Sequence, residues 1–294
     1  MVKSCMPPDP HTRTPDFRMP NGACDSHCHV FGPGSVFPYA ASSTYVPPDA
    51  PKENLRALHD ILGVERAVIV QASCHGTDNR AVLDAIATGD GRYLGVCNAD
   101  PSFTDEDFAR LHEGGIRGVR FNFVKHLGGA PDLDAMRAIV AKVAHLRWHV
   151  ELHFDAKDLL EYEDLLDEMP IPVVIDHMGR VPVADGVDQA PFLALLKKFE
   201  TADYLWVKVS GSERISAAGP PFDDAVPFAQ ALLDVAPDRL IWGTDWPHPN
   251  ISRFMPNDGD LVDLLPRITS DPALQRKILV DNPVQLFGFD ALES

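Results

Sequence analysis

The chain has 294 residues, of which 45% are hydrophobic, so it can bury a large core in one or two domains. Its 26 basic and 43 acidic residues give a net charge of −17, which argues against binding to nucleic acid or to an anionic membrane. No apolar run is long enough to span a membrane, and the Pro-rich start has no signal-peptide core. We therefore expect a cytoplasmic protein with no nucleic-acid or membrane partner.

The first 22 residues carry five prolines and no clear periodicity. They predict an extended N-terminal arm over 1–22 that wraps the following domain or a partner subunit, which leaves a homo-oligomer open. The remaining residues, 23–294, are expected to form a single domain.

Apolar segments typical of buried parallel strands recur eight times after the arm. In chain order they span 24–31, 67–73, 94–100, 118–123, 149–154, 172–178, 205–211 and 240–245. Stretches with helical periodicity separate them, at 53–62, 77–87, 105–113, 132–146, 157–168, 190–200, 222–235 and 259–268. This alternation predicts an α/β protein with a (β/α)8 barrel. The alternative, an open doubly wound sheet, needs a glycine-rich phosphate turn that Gly32-Pro33-Gly34 does not supply.

Metal-type ligands stand at or near the ends of four of these segments: His27, His29, His153, His177 and Asp245. Because side chains alternate along a strand, His27 and His29 should share one face while Cys28 points away. The carboxyl ends of barrel strands meet at one face of the barrel, so we expect the five side chains to cluster there. Neutral imidazoles with a carboxylate suit zinc and leave a position open for water. The pattern therefore predicts a hydrolytic metal site.

Three arginines, Arg120, Arg180 and Arg214, lie in or just after strand segments, where the loops form the mouth of a barrel. Together they would form a local positive pocket that reads carboxylate or sulfonate groups, although each alone is as consistent with a surface ion pair. Neutral hydrogen-bonding groups expected at the same mouth are Tyr45, Ser73, His75 and Asn122.

Several motifs together resemble the amidohydrolase superfamily: the HxH ending the first strand, the fifth-strand histidine, IDHMGR, WGTDWPH and DNPVQLFGF. Within it, QASCHGTDN, HEGGIRGVRFNF and AGPPFDD resemble the branch of 2-pyrone-4,6-dicarboxylate lactonase and 4-sulfomuconolactone hydrolase. The resemblance implies that one divalent metal, zinc, is held by His27, His29, His153 and Asp245. It also implies that Asp245 takes a proton from water, and that His177 polarises a carbonyl oxygen or shuttles a proton.

Two positions depart from the pyrone-dicarboxylate members, which are understood to work without a metal. His153 stands where they carry tyrosine, and His126 stands at the substrate side where they carry arginine. The resemblance therefore implies a hydrolase that opens a small anionic lactone from aromatic-compound catabolism, with a 4-sulfomuconolactone-like substrate favoured. A metal-free 2-pyrone-4,6-dicarboxylate lactonase, a metal-dependent aromatic-acid decarboxylase and a binding barrel without turnover remain as alternatives.

Overall fold

An eight-stranded parallel sheet forms the centre of the protein. The computed structural model describes residues 3–290, with the side chains of Lys3 and His126 left out of the description. The barrel strands, each paired with the next along the chain, are β1 (Cys24–Cys28), β2 (Arg66–Val70), β3 (Tyr93–Cys97), β4 (Ile116–Asn122), β5 (His149–His153), β6 (Val173–Ile175), β7 (Leu205–Lys208) and β8 (Leu240–Ile241). Among residues 3–290, no helix is long and apolar enough to cross a membrane.

Backbone hydrogen bonds close the sheet between β1 and the residues around β8. Ser26 N donates to Trp242 O at 2.8 Å, and Asp245 N donates to His27 O at 2.7 Å. Gly243 permits this approach, because a Cβ at that position would lie 2.5 Å from His27 N. The predicted (β/α)8 barrel is confirmed, and its closure sets His27 beside Asp245.

Helices follow the strands and cover the outer face of the sheet. They are α1 (Lys52–Leu62), α2 (Arg80–Ala87), α3 (Asp105–Glu113), α4 (Leu133–Val143), α5 (Glu163–Asp167), α6 (Ala190–Thr201), α7 (Ser212–Ile215), α8 (Val226–Val235), α9 (Asp258–Val262), α10 (Leu265–Ile268), α11 (Pro272–Arg276) and α12 (Asn282–Phe287). The predicted stretches 222–235 and 259–268 are each divided, and α8 and α10 begin beside Pro227 and Pro266. Proline lacks a backbone N–H and favours the first turn of a helix, so a new helix starts there.

The apolar core lies in two layers. One layer fills the space between the strands and the helices, and a smaller cluster lies inside the barrel with Val68, Val96 and Trp206 among its members. Phe287 of α12 belongs to the inner cluster and packs against His149, the first residue of β5, with ring centres 5.2 Å apart. The aromatic ring therefore closes the N-terminal end of the barrel, and the polar residues lie toward the other end.

The N-terminal segment contacts its own barrel. Lys3–Ser4 pairs in parallel with Tyr45–Val46, in the long loop after β1. Arg13 forms an ion pair with Asp260 of α9 at 2.9 Å. The division of the chain at residue 22 stays a prediction, and residues 1–2 and 291–294 of the two predicted segments lie outside the described residues.

Candidate active site

A small pocket of about 30 Å³ lies at the carboxyl ends of the strands. It brings together nine of the predicted site residues: His29, Tyr45, Ser73, Arg120, His153, His177, Arg180, Arg214 and Asp245. A second cavity of about 170 Å³ continues from it, because Arg180, Arg214 and Asn250 line both. The second cavity adds Arg253, a residue that the sequence did not single out.

Three of the four predicted metal ligands converge at this pocket. One ligand atom from each of His27, His29 and Asp245 lies within 4.8 Å of the others, and all three side chains are buried. His27 and His29 point into the barrel, whereas Cys28 packs into the outer core, as strand alternation predicts.

The donor set of this group fits a divalent cation. His29 Nδ1 lies 2.8 Å from Val70 O and must donate to it, which leaves Nε2 as a lone pair 3.2 Å from Asp245 Oδ1. Two acceptors at that distance repel each other unless a proton or a cation lies between them. His27 Nε2 is buried without a hydrogen-bond partner among the described residues, 3.7 Å from the same oxygen. Ligand atoms around a tetrahedral zinc ion, with bonds of about 2.0–2.1 Å, lie roughly 3.3 Å apart.

A buried ionic network holds the other nitrogen of His27. Lys208 Nζ lies 2.9 Å from His27 Nδ1 and contacts Glu151, while Asp176 Oδ1 lies 3.3 Å from the same nitrogen. Lys208 Nζ is a donor only, so His27 Nδ1 accepts from it in this arrangement. Coordination through Nε2 would require Lys208 to release Nδ1 and the imidazole proton to lie there, where Asp176 could accept it. Burial alone raises the pKa of Asp176, but Arg120 and the other nearby cations outweigh it and hold that pKa well below its ordinary value. The carboxylate is therefore ionised.

Asp245 lies at a strained backbone position between a cation and the histidines. Its φ is 63°, a left-handed conformation that is costly for a residue with a Cβ. Arg214 Nε donates to Asp245 Oδ2, and His177 Nε2 lies 3.8 Å from the same oxygen. Burial raises the pKa of Asp245, but the Arg214 guanidinium outweighs it, so the pKa lies well below its ordinary value.

His177 and Arg180 belong to a left-handed turn that directly follows β6. The four consecutive φ angles from His177 to Arg180 are 50°, 53°, 65° and 51°, and only Gly179 adopts such angles without strain. His177 Nδ1 lies 3.0 Å from Ser210 Oγ, and burial holds the pKa of His177 well below its ordinary value. The imidazole is therefore neutral. The Ser210 hydroxyl can donate to Nδ1, and in that tautomer Nε2–H faces the pocket as a donor.

His153, the fourth predicted ligand, lies on the other side of His177. Its ring centre is 5.5 Å from that of His177, and its Nε2 lies 3.4 Å from Arg180 Nη1. Its Nδ1 is buried with no hydrogen-bond partner among the described residues. The three converging ligands do not include His153 in this arrangement.

Each of the three predicted substrate arginines is paired with a carboxylate. Arg120 Nη2 lies 2.8 Å from Asp176 Oδ2, Arg180 Nε lies 2.9 Å from Asp155 Oδ1, and Arg214 contacts Asp245. A guanidinium at a buried site is costly without a counter-charge, which explains the pairing. The mouth is therefore less positive than the arginines alone indicate, and an incoming anion must share them with these carboxylates.

Two further predicted substrate residues, His75 and Asn122, do not line the pocket. His75 accepts from Gly32 N and lies 3.2 Å from Pro38 O through its other nitrogen, so both ring nitrogens hold the loop after β1. Asn122 donates to Leu127 O and thereby holds the loop after β4. The side chain of His126 is outside the described residues, and its substrate role stays a prediction.

Besides Arg253, sequence reasoning missed three polar residues of the site: Asp176, Lys208 and Asn250. Lys208 could have been identified from the sequence, because a lysine at the end of the apolar run YLWVK faces the barrel interior if Trp206 does. Asn250 lies beyond the WGTDWPH motif in a loop whose course no periodicity predicts.

Comparisons with known proteins agree with the fold and the motifs. The family model described as Amidohydrolase matches residues 24–289. A 2-pyrone-4,6-dicarboxylate hydrolase of Comamonas testosteroni is 47% identical, over 93% of this chain and 92% of that protein. A 4-sulfomuconolactone hydrolase of Rhizobium radiobacter is 44% identical, over 98% and 97%. The crystal structure of a probable 2-pyrone-4,6-dicarboxylic acid hydrolase from Acinetobacter baumannii with citric acid bound is 30% identical, covers 91% of this chain and 100% of that one, and superposes with a TM-score of 0.80. The chain belongs to the amidohydrolase family.

Proposed function

We propose that the protein is a hydrolase that opens the ring of a small anionic lactone by attack of water on the lactone carbonyl. The observation that carries the proposal is that the His27, His29 and Asp245 group lies at a mouth lined by arginines, in a chain 44% and 47% identical to hydrolases named for such lactones. A 4-sulfomuconolactone-like substrate is our first assignment, and 2-pyrone-4,6-dicarboxylate is the second.

The volumes of the two cavities support a substrate of this size. The inner pocket, about 30 Å³, accommodates one water molecule, whose share of liquid volume is roughly 30 Å³. The adjoining cavity of about 170 Å³ accommodates a small ring with its substituents. We place the attacking water in the inner pocket and the lactone in the outer cavity, with its carbonyl at the junction where Arg180 and Arg214 lie.

We propose that one divalent metal, zinc, is held by His27, His29 and Asp245. Bound there, the ion supplies Lewis acidity, which makes water acidic near neutral pH and polarises a carbonyl oxygen. The His153 side chain would have to turn away from Arg180 to become a fourth ligand.

The residues of the chain then divide the proton chemistry between them. Asp245 accepts the proton of the attacking water, and the water oxygen bonds to the carbonyl carbon. The neutral His177 donates its Nε2–H to the carbonyl oxygen as negative charge develops there. When the ring C–O bond breaks, Asp245 returns the proton to the leaving oxygen, so the overall change is the addition of one water.

The arginines would hold the anionic groups of the substrate. A planar guanidinium donates two parallel hydrogen bonds to a carboxylate or sulfonate. Arg214 contacts Asp245 and also lines the outer cavity, so an anionic substituent there can share the same guanidinium. The similar structure with citric acid bound supports a mouth that accepts a small polycarboxylate.

A lactone panel tests the proposal. Purified protein should open 4-sulfomuconolactone or 2-pyrone-4,6-dicarboxylate, with one equivalent of acid released and no carbon dioxide. Release of carbon dioxide from an aromatic acid would identify the decarboxylase alternative, and tight lactone binding without ring opening would identify a binding barrel.

Metal content tests the cofactor assignment separately. We expect about one zinc per chain, loss of activity on chelation and recovery when zinc returns. His29→Ala should abolish zinc binding, because His29 offers a lone pair at the centre of the group. His153→Tyr tests whether His153 joins His27, His29 and Asp245 as a fourth ligand, since it should lower zinc content only in that case. Full activity of metal-free wild-type protein would exclude zinc and favour the pyrone-dicarboxylate assignment.

A further inference from the structure

A second cavity with a basic lining lies at the opposite end of the barrel. Its volume is about 430 Å³, within the range of roughly 300–1,000 Å³ usual for small-molecule sites. It lies between the end of α3, the start of β4, the turn that precedes β5, and α12. We call it the basal groove, and its lining residues include His112, Arg117, Arg147, Leu286 and Phe287.

The charge of the basal groove is opposite to that of the whole protein. Its described lining contains Arg117, Arg147, His112 and His145 and no aspartate or glutamate, in a chain with a net charge of −17. Arg117 is half-buried and uses Nη1 to donate to two backbone carbonyls, whereas its Nη2 and Nε make no hydrogen bond to the residues that the structure describes. Burial also lowers the pKa of Arg117, so the cation has lost hydration that an anion would replace.

His112 adds a donor of fixed direction. Trp148 Nε1 is a donor only, and it lies 3.0 Å from His112 Nδ1, which must therefore accept. The proton of the neutral imidazole is then on Nε2. The buried Trp148 in this way sets the tautomer of a histidine on the groove wall.

Apolar residues also line the groove. Leu146 and Leu286 are partly exposed there, and the groove ends against the buried Phe287, the ring that closes the barrel beneath His149. Guanidinium groups beside apolar side chains match an anion whose body is itself apolar. We propose that the basal groove binds a small carboxylate with an apolar body, at a site separate from the catalytic pocket.

Titration of the full-length protein with benzoate tests the site. The catalytic mouth also contains arginines, so the measurement is made in the Arg214→Met background, which weakens anion binding there. We expect one benzoate per chain to remain, and Arg147→Gln to weaken that binding by about tenfold, the loss of one charged hydrogen bond. Arg147 is exposed, so the variant should fold and keep wild-type lactone turnover in the absence of benzoate.

Two controls make the result decisive. Arg56→Gln removes an equally exposed arginine from α1 and should leave benzoate affinity unchanged. Inorganic phosphate, which lacks the apolar body, should bind at least about tenfold more weakly than benzoate. No benzoate binding in the Arg214→Met background, equal affinity in Arg147→Gln, or equal affinity for phosphate would each overturn the proposal.

Discussion

Replacing Lys208 by methionine should be among the most destabilising single changes in the barrel. The side chain is fully buried and contacts Glu151, with His27 Nδ1 at 2.9 Å and Asp176 Oδ1 at 3.5 Å. Methionine keeps the length and removes the charge. Two buried carboxylates would then share Arg120 alone.

The structure gives the expected size and pH dependence of the effect. Breaking a buried ion pair by removing one partner costs about 3–5 kcal/mol, because the remaining charge stays buried and unpaired. Burial and Asp176 raise the pKa of Glu151, yet Lys208 and its other partners bring it below the ordinary 4.5. The stabilisation by ionised Glu151 is present at pH values above the pKa of this group in the unfolded chain. It is lost as pH falls through the lower pKa of the group in the folded protein. The penalty of Lys208→Met should therefore be fully present from neutral pH down to about pH 4.5 and shrink as pH falls below 4.5.

Urea unfolding at neutral pH measures this free energy. The matched control is Lys198→Met, which removes a lysine whose partners Glu163 and Asp167 are about half exposed and should cost about 0–1 kcal/mol. Adding Glu151→Gln to Lys208→Met should recover part of the loss, since it removes the unpaired carboxylate. A penalty no larger than that of Lys198→Met would refute the reasoning.

Three further changes follow from the site. Asp245→Asn should lower lactone turnover by about 100-fold or more, and a retained rate above about a tenth would exclude Asp245 as the base. Arg253→Gln should raise KM for a doubly charged lactone by about 2- to 5-fold and leave a neutral lactone unaffected, because Arg253 lines only the outer cavity and is exposed. The buried His248 has its pKa raised to about 10, since Asp258 at 3.0 Å outweighs the effect of burial. Its stabilisation is complete below pH 6.5 and is lost as pH rises toward 10, so the free energy of unfolding should fall over that range in wild type and stay level in His248→Gln.

The barrel could be predicted because apolar strand segments alternate with helical segments along most of the chain. Each apolar segment coincides with an observed strand to within a few residues, as for 149–154 and His149–His153. The prediction extends too far at 172–178, where the strand is only Val173–Ile175. There the chain enters the left-handed turn that carries His177, and an apolar pattern does not reveal the sign of φ.

The predicted fold was enough to group the metal-type ligands at the mouth. It did not predict which carboxylates pair with the arginines. Strand alternation places His27 and His29 inside any barrel, but the partner of Arg120 is Asp176, two strands away. Which carboxylate meets which guanidinium depends on the register of β4 to β6 and on side-chain rotamers. Side-chain rotamers also explain why His153 lies apart from the ligand group. Its strand position is the predicted one, but its ring faces Arg180.

The balance of buried charge leads to a last prediction about how metal and substrate bind. Three carboxylates and three cations meet inside the mouth: Glu151, Asp176, Asp245, Arg120, Lys208 and Arg214. These six charges balance one another, so a divalent cation alone or a dianionic lactone alone would add two charges that they do not compensate. The two together restore neutrality.

Zinc and a dianionic substrate should therefore bind with positive coupling. A dianion that is not hydrolysed should tighten zinc binding by about 5- to 150-fold, the usual range of coupling between two sites, and zinc should tighten binding of the dianion by the same factor. Zinc titrations with and without the dianion measure this directly. A neutral lactone analogue serves as the control, because it fills the same space without adding charge. Equal zinc affinity in all three titrations would mean that charge balance does not govern the site and that the arginines act on the substrate independently of the metal.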